Sequence, residues 1–267
     1  MTKCKNETEN NPTHLKRRGF LGAVAALGVG VAIAPGVMFY RTGGAGAATD
    51  NQVAKFSNGG KAVDPKVRWG LLVDTNKCPK DCAVCVSACV EENGLEGKGR
   101  IETDAQWIRK IDIKNPATGF QTSLPVMCQH CEEPPCVDVC PTGASFKRAD
   151  GIVLVDKHTC IGCRYCMMAC PYKARSFVHE TLNNQKPWAP RGKGTVESCT
   201  FCVHRIDVGR TPACVEKCNR DAGGAMTFGD INDAGSEISK LLEKLGTQQI
   251  RRDLGTNPGV YYQGLST

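Results

Sequence analysis

Sixteen of the 17 cysteines in this 267-residue chain fall into four groups of four, and their spacing limits the fold more than any other feature. The groups are Cys78-x3-Cys82-x2-Cys85-x3-Cys89, Cys128-x2-Cys131-x4-Cys136-x3-Cys140, Cys160-x2-Cys163-x2-Cys166-x3-Cys170 and Cys199-x2-Cys202-x11-Cys214-x3-Cys218. Thiols set this close together present soft ligands from one tight loop. The chain needs such ties. Aromatic residues make up only 6%, against 29 glycines and 14 prolines. That is the composition of a loop-rich fold whose modest apolar core needs help from its cysteines.

The third group runs into Pro171, giving C-x2-C-x2-C-x3-C-P, the run by which bacterial ferredoxins hold 4Fe–4S clusters. Three closely spaced thiolates wrap three corners of a cubane, with backbone N–H groups turned toward the sulfurs. The fourth cysteine opens a helix and points to the neighbouring cluster. Zinc, which takes separated pairs of ligands, does not suit three thiolates at this pitch. The second group ends in Cys140-Pro141, and the two together read as a two-cluster ferredoxin. The crossed ligation of such proteins then assigns Cys128, Cys131, Cys136 and Cys170 to one cluster, and Cys160, Cys163, Cys166 and Cys140 to the other. The outer groups are weaker alone: the last would pass for a zinc site, and the first has one residue too many between Cys78 and Cys82. Flanking a ferredoxin pair, they complete a second pair around it. Crossing again assigns Cys78, Cys82, Cys85 and Cys218 to one cluster, and Cys199, Cys202, Cys214 and Cys89 to the other. The expected fold class is α+β: two fused two-cluster bacterial-ferredoxin-like units, with sixteen iron ligands and four 4Fe–4S clusters.

The N-terminus reads as an address. Lys16-Arg17-Arg18 precedes a Gly/Ala/Val-rich stretch that is uncharged from Gly19 through Tyr40, the mark of a twin-arginine export signal. Ala45-Gly46-Ala47 offers a cleavage site, although the uncharged stretch is also long enough to stay as a membrane anchor. Exported cysteines usually become disulfides; export of a protein already folded around its cofactor avoids that fate. Residues 1–47 hold six of the 34 basic and two of the 27 acidic side chains, leaving 28 against 25, a net +3 in place of +7. Four oxidised clusters with their thiolates add about −8, so the loaded protein is acidic and its basicity is no argument for nucleic acid.

Between these landmarks, Val67–Val73, Trp107–Ile113, Gly151–Val155 and Ser176–His179 read as strands. Asn115–Gly119 reads as a turn and residues 181–195 as a polar loop. Ile238, Leu241, Leu242 and Leu245 fall on one face of a helix ended by Gly246, followed by an extended tail with Val260, Tyr261 and Tyr262. The expected organisation is a signal over 1–47, a linker over 48–66, an outer ferredoxin-like unit over 67–119 and 196–230, an inserted unit over 120–180, and a C-terminal helix with docking tail over 231–267. His130 and His204 lie beside cysteines without forming a haem-attachment motif, and read as hydrogen-bonding neighbours. Lys157, Arg164, Lys173, Arg175, Arg205, Lys217 and Arg220 crowd the third and fourth groups; they read either as solvated surface or as partial neutralisation of cluster charge. Cys4 reads as an incidental thiol. No nucleophile constellation, phosphate loop, pterin or flavin signature occurs, so no catalytic residue is expected.

From about Trp69 onward the chain resembles the four-cluster iron–sulfur subunits of polysulfide, tetrathionate, dimethyl sulfoxide and nitrite (NrfC-like) reductase complexes. The resemblance is carried by Cys128-Gln-His-Cys-Glu-Glu-Pro-Pro-Cys136, Gly162-Cys-Arg-Tyr-Cys166, Cys170-Pro-Tyr172 and Leu254-Gly-Thr-Asn-Pro258. It implies a periplasmic electron-transfer subunit that docks on a quinone-reactive integral membrane subunit and has no substrate site of its own. The signal and the Gln106–Lys110 segment look most like the periplasmic subunit (DsrO-type) of the complex linked to dissimilatory sulfite reduction, which implies a multihaem cytochrome c as the second partner. The alternative is a molybdopterin catalytic partner of the polysulfide, tetrathionate, dimethyl sulfoxide or nitrite type. A zinc- or disulfide-stapled exported binding protein is the competing class.

Overall fold

In the computed structural model the described residues are 53–54, 63–183 and 185–265. The expected export signal, Cys4 and most of the expected linker lie outside them. Among the described residues no helix is long and apolar enough to cross a membrane.

The chain combines short strands with one- to three-turn helices, and every helix but the last is seated at a cysteine group. In order they are β1 (Val53–Ala54), β2 (Trp69–Asp74), α1 (Val84–Asn93), β3 (Ile108–Lys114), β4 (Gln121–Met127), α2 (Pro135–Asp138), β5 (Ser145–Arg148), β6 (Val153–Val155), α3 (Tyr165–Ala169), β7 (Arg175–Phe177), β8 (Val196–Ser198), α4 (Val203–Ile206), α5 (Ala213–Asp221), β9 (Met226–Asp230), α6 (Glu237–Lys244), β10 (Thr247–Gln248) and β11 (Val260–Gln263). The expected strands appear with shifted ends, and the α+β class holds.

Helical spacing explains where the cysteines point. Cys85 and Cys89 are four apart on α1, and Cys214 and Cys218 are four apart on α5, so each pair shares one face. Those faces are buried and the two helices pack on one another. Gly94 closes α1 in the left-handed conformation (φ 62°), its N–H donating to the Val90 carbonyl. The smaller pair α2 and α3 repeats the arrangement with Cys136 and Cys166 buried.

A four-stranded sheet in the order β10-β11-β2-β9 supports the outer helices. The hairpin β3–β4 pairs Ile108 with Met127 and Lys114 with Gln121, around the expected turn, where Phe120 O accepts from Asn115 N–H. A β1-β5-β6 sheet and the β7–β8 pair line the inner groups. Leu71, Val73, Leu124, Met127, Ile152, Met226, Val260 and Tyr262 form the almost fully buried centre.

The docking tail requires correction. Val260 and Tyr262 are completely buried, because β11 lies between β10 and β2, parallel to β2 with Tyr262 opposite Val73. The Tyr262 hydroxyl donates to the Pro125 carbonyl. Helix α6 likewise packs on β9 and β2, burying Ile238 and leaving Leu241, Leu242 and Leu245 half-buried. Both segments finish the core, so neither offers a free apolar stripe. Helix α6 also stops at Lys244, two residues before the glycine expected to end it, with Leu245 extended.

Candidate metal centres

The C-x-x-C loops turn through left-handed backbone. His130, Gly162, and Phe201 with Cys202 carry φ of 42°, 72°, 53° and 53°. Such turns gather successive N–H groups on one side, a concavity suited to negative charge. Gly162 is obligatory on a second count, since a Cβ there would meet the Gly194 carbonyl oxygen at 2.1 Å. Among the described residues none between Cys78 and Cys89 has positive φ. The extra residue of that group is absorbed in a turn where Cys82 N–H donates to the Pro79 carbonyl.

The fold brings together thiols that the sequence keeps apart. Burial and the nearby Cys78, Cys218 and Cys82 push Cys85 up to about 11, against the pull of Lys110. Cys199 is raised well above its usual value by burial and by Cys89, Cys214 and Cys202. Cys131 is pushed up to about 12 by burial, with Cys136 and Cys170 adding to it. Cys166, raised by burial, has Cys140 and Cys160 as neighbours. Cys140 is the exception. Against the effect of partial burial, the Ser145 N–H at 3.4 Å and the Thr142 hydroxyl at 3.7 Å hold it below the usual thiol range. These neighbourhoods also touch: Cys85 acts on Cys214, and Cys166 acts on Cys136.

Exposure is graded across the neighbourhoods. Cys89, Cys199, Cys202 and Cys214 are all buried, as are Cys128, Cys131, Cys136 and Cys170. Cys78, Cys82, Cys140 and Cys160 are intermediate, and Cys163 is exposed.

Donors reach several sulfurs. Lys110 Nζ lies 2.7 Å from Cys78 Sγ, Arg175 Nη2 lies 3.0 Å from Cys136 Sγ, and Asn93 Nδ2 lies 3.6 Å from Cys89 Sγ. The Val196 N–H is 3.5 Å from Cys160 Sγ. Of the seven basic side chains crowding the third and fourth groups, Arg175 is the one that hydrogen-bonds a thiol. Arg205 pairs with Glu92 and Glu216, Lys217 with Glu91 and Arg220 with Asp221. Arg164 covers the Phe177 ring, Lys173 Nζ donates to the Met168 carbonyl, and Lys157 Nζ donates to the Val196 carbonyl. Lys110 and Asn93 escaped the sequence reading. Lys110 reaches Cys78 only because the hairpin folds back over that loop, and no local pattern announces it.

His130 Nδ1 accepts the Val153 N–H at 3.1 Å, and its ring stacks on Phe201 with centroids 3.7 Å apart. Burial and Arg175 lower it to about 3, so it is neutral. His204 Nε2 lies 2.8 Å from Glu92. Both histidines are thus engaged by protein partners.

The donor set fits iron–sulfur clusters. Buried thiols that raise one another's pKa become thiolates when iron displaces their protons. Among the described residues no three His, Cys, Asp or Glu side chains converge on one ion-sized point, and all sixteen grouped cysteines are free. Three thiols at the pitch of Cys160, Cys163 and Cys166 suit the corners of a cubane better than a lone zinc. Three buried donors, Trp107 Nε1, His130 Nε2 and Arg175 Nη1, have no protein partner among the described residues, and the last two, beside the cysteine groups, are available to cluster sulfide.

Comparison with known proteins agrees. A 4Fe-4S dicluster domain model matches residues 120–231. The "Hdr-like menaquinol oxidoreductase iron-sulfur subunit 1" of Archaeoglobus fulgidus is 39% identical over 278 positions, covering 94% of this chain and 98% of the relative. A tetrathionate reductase subunit of Salmonella typhimurium is 39% identical, covering 75% of this chain and 74% of the relative. Protein NrfC of Escherichia coli is 40% identical, covering 73% and 80%. With sixteen cysteines in the number and grouping that four 4Fe–4S clusters require, the chain belongs to the ferredoxin-type 4Fe–4S iron–sulfur subunits of the dimethyl sulfoxide, tetrathionate, NrfC and Hdr-like oxidoreductase family.

Proposed function

We propose that this chain is a four-station electron relay with crossed ligation, running between a quinol-reactive membrane subunit and a second redox subunit. In this reading Cys78, Cys82, Cys85 and Cys218 hold the first cluster, and Cys89, Cys199, Cys202 and Cys214 the second. Cys128, Cys131, Cys136 and Cys170 hold the third, and Cys140, Cys160, Cys163 and Cys166 the fourth. The order is supported by the contacts between neighbourhoods: Cys85 with Cys214, His130 stacked on Phe201, and Cys166 with Cys136.

The observation that carries the relay reading is the gradient of burial. Every thiol of the two middle sets is buried, and every half-buried or exposed one belongs to an end set. Bound clusters supply one-electron chemistry. The protein holds them, keeps water from the middle pair, and opens the two ends to partners.

A quinol-linked assembly of the kind named for the A. fulgidus relative is the favoured complex, because that alignment spans 94% of this chain while the tetrathionate and NrfC alignments span 75% and 73%. A link to sulfite reduction is the finer form of this reading and rests on the resemblance of the signal and the Gln106–Lys110 segment. A molybdopterin catalytic partner is favoured by the tetrathionate, dimethyl sulfoxide, selenate and arsenate reductase relatives, which support it better than anything supports the sulfite link. Affinity purification from native membranes decides between them. A quinone-interacting membrane protein with a multihaem cytochrome c supports the first; a molybdopterin subunit without a cytochrome supports the second and refutes the sulfite link.

A further inference from the structure

Four arginines of the described chain are deeply buried: Arg148, Arg175, Arg191 and Arg205. Three of them meet carboxylates. Arg148 pairs with Asp150 and Asp207, Arg191 with Glu197, and Arg205 with Glu92 and Glu216. Arg175 makes no ion pair with an acidic side chain among the described residues. Its Nη2 donates to Cys136 Sγ at 3.0 Å and to Ser145 Oγ at 2.8 Å, while Nη1 is buried without any protein partner. Cys166 and Cys128 are its other close thiol neighbours, and once deprotonated they act with Cys136 against the burial that would otherwise lower the guanidinium's pKa.

A buried guanidinium without a counter-charge is costly enough to destabilise the fold. The counter-charge available to Arg175 is therefore thiolate and cluster charge. The contacts come from two different sets: Cys136 and Cys128 belong to the third station, Cys166 to the fourth. The flat fork of a guanidinium suits this position, since it can donate in two directions from one fixed plane.

We infer that Arg175 is a counter-ion shared by the third and fourth clusters, holding both at higher reduction potential than their ligands alone would and easing the repulsion between them when both are reduced. This rests on the four-station reading above. It raises the third and fourth stations relative to the second. The second station has no unpaired cation: Asn93, 3.6 Å from Cys89 Sγ, is neutral, and Arg205, which acts on Cys202, is paired with Glu92 and Glu216, Glu92 itself lying close to Cys89 and Cys202. Arg175 is a positioning and tuning residue, since it alters the electrostatics around the clusters and transfers no electron.

The test is a spectroscopic redox titration of the purified full chain as wild type, Arg175→Gln and Arg175→Lys, with Arg220→Gln as the exposed control. Iron and acid-labile sulfide are measured on each sample, so a failure of the four-cluster reading appears as a wild type without them. Expected in Arg175→Gln is a shift of two of the four reduction potentials to lower values, with the other two unmoved; Arg175→Lys shifts the same two by less, and Arg220→Gln shifts none. If Arg175→Gln does not assemble, the lysine variant carries the test alone through the same two potentials. Wild-type potentials in a fully loaded variant, a shift confined to one cluster, or an equal shift of all four would overturn the inference.

Discussion

Cys140 and Cys218 are distant in sequence from the thiols they sit beside, and each gives the crossed arrangement a direct test. Cys140→Ala should remove the cluster of Cys160, Cys163 and Cys166, seen as loss of its paramagnetic signal and of about four iron; loss of the Cys128–Cys131–Cys136 signal would mean that ligation is not crossed. The sixteen cysteines were legible because their pitch is dictated by cluster chemistry, so local spacing carries the information. Their polar neighbours were not equally legible. Arg175 was one of seven basic candidates, and what separates it is a buried guanidinium bonded to a thiol and to no carboxylate, which depends on where distant side chains fold. Lys110 has no local signal at all. Its side-chain nitrogen lies 2.7 Å from Cys78 Sγ, where a positive charge favours the reduced cluster. Lys110→Gln is expected to lower one reduction potential, in a redox titration, and to leave the pair governed by Arg175 in place.

Among the elements, the C-terminal strand departs most from the sequence reading. Val260–Tyr262 has strand-like composition, but its partner is Trp69–Asp74 at the other end of the described chain, and local periodicity carries no record of so distant a pairing. Reading it as an exposed tail followed from not seeing that partner. The hairpin strand Gln121–Met127 was missed for a similar reason: Pro125 interrupts its pattern, although it is paired along its whole length with Ile108–Lys114. The Tyr262 hydroxyl joins these two elements, donating to the Pro125 carbonyl at 3.1 Å and lying 3.3 Å from Gln129 Nε2. Tyr262→Phe takes the hydroxyl from the Pro125 carbonyl and leaves Gln129 Nε2 with only its bond to the Met127 carbonyl, at a cost of about 1–3 kcal/mol. Because a cofactor-loaded chain unfolds irreversibly, the readout is the rate at which cluster absorbance bleaches in denaturant. Faster bleaching with an unchanged starting iron content is expected, and an unchanged rate would show that the hydroxyl carries no stability. The same assay applies to the buried pair Arg191–Glu197, which pins the polar loop to the end of α1 through the Gly94 carbonyl. Removing the arginine charge in Arg191→Met should cost about 3–5 kcal/mol.

At the scale of the whole molecule, the proposed relay has buried middle stations and surface-facing ends, and the sequence before it carries the expected export address. Replacing Arg17 and Arg18 with lysine is expected to trap a cluster-loaded precursor in the cytoplasm, followed by fractionation and iron analysis; normal export of that variant would reject the twin-arginine proposal. Class and cofactor were readable at this scale, since few arrangements of sixteen cysteines at these intervals are chemically useful. The gradient of burial that makes the molecule a relay was not readable, because exposure of a thiol depends on what packs over it from elsewhere in the chain. The central claim is that these thiols hold four cubanes, and metal analysis of the anaerobically purified protein tests it most directly. The account predicts about sixteen iron and sixteen acid-labile sulfide per chain; zinc in place of iron, or intact disulfides with no sulfide, would contradict it.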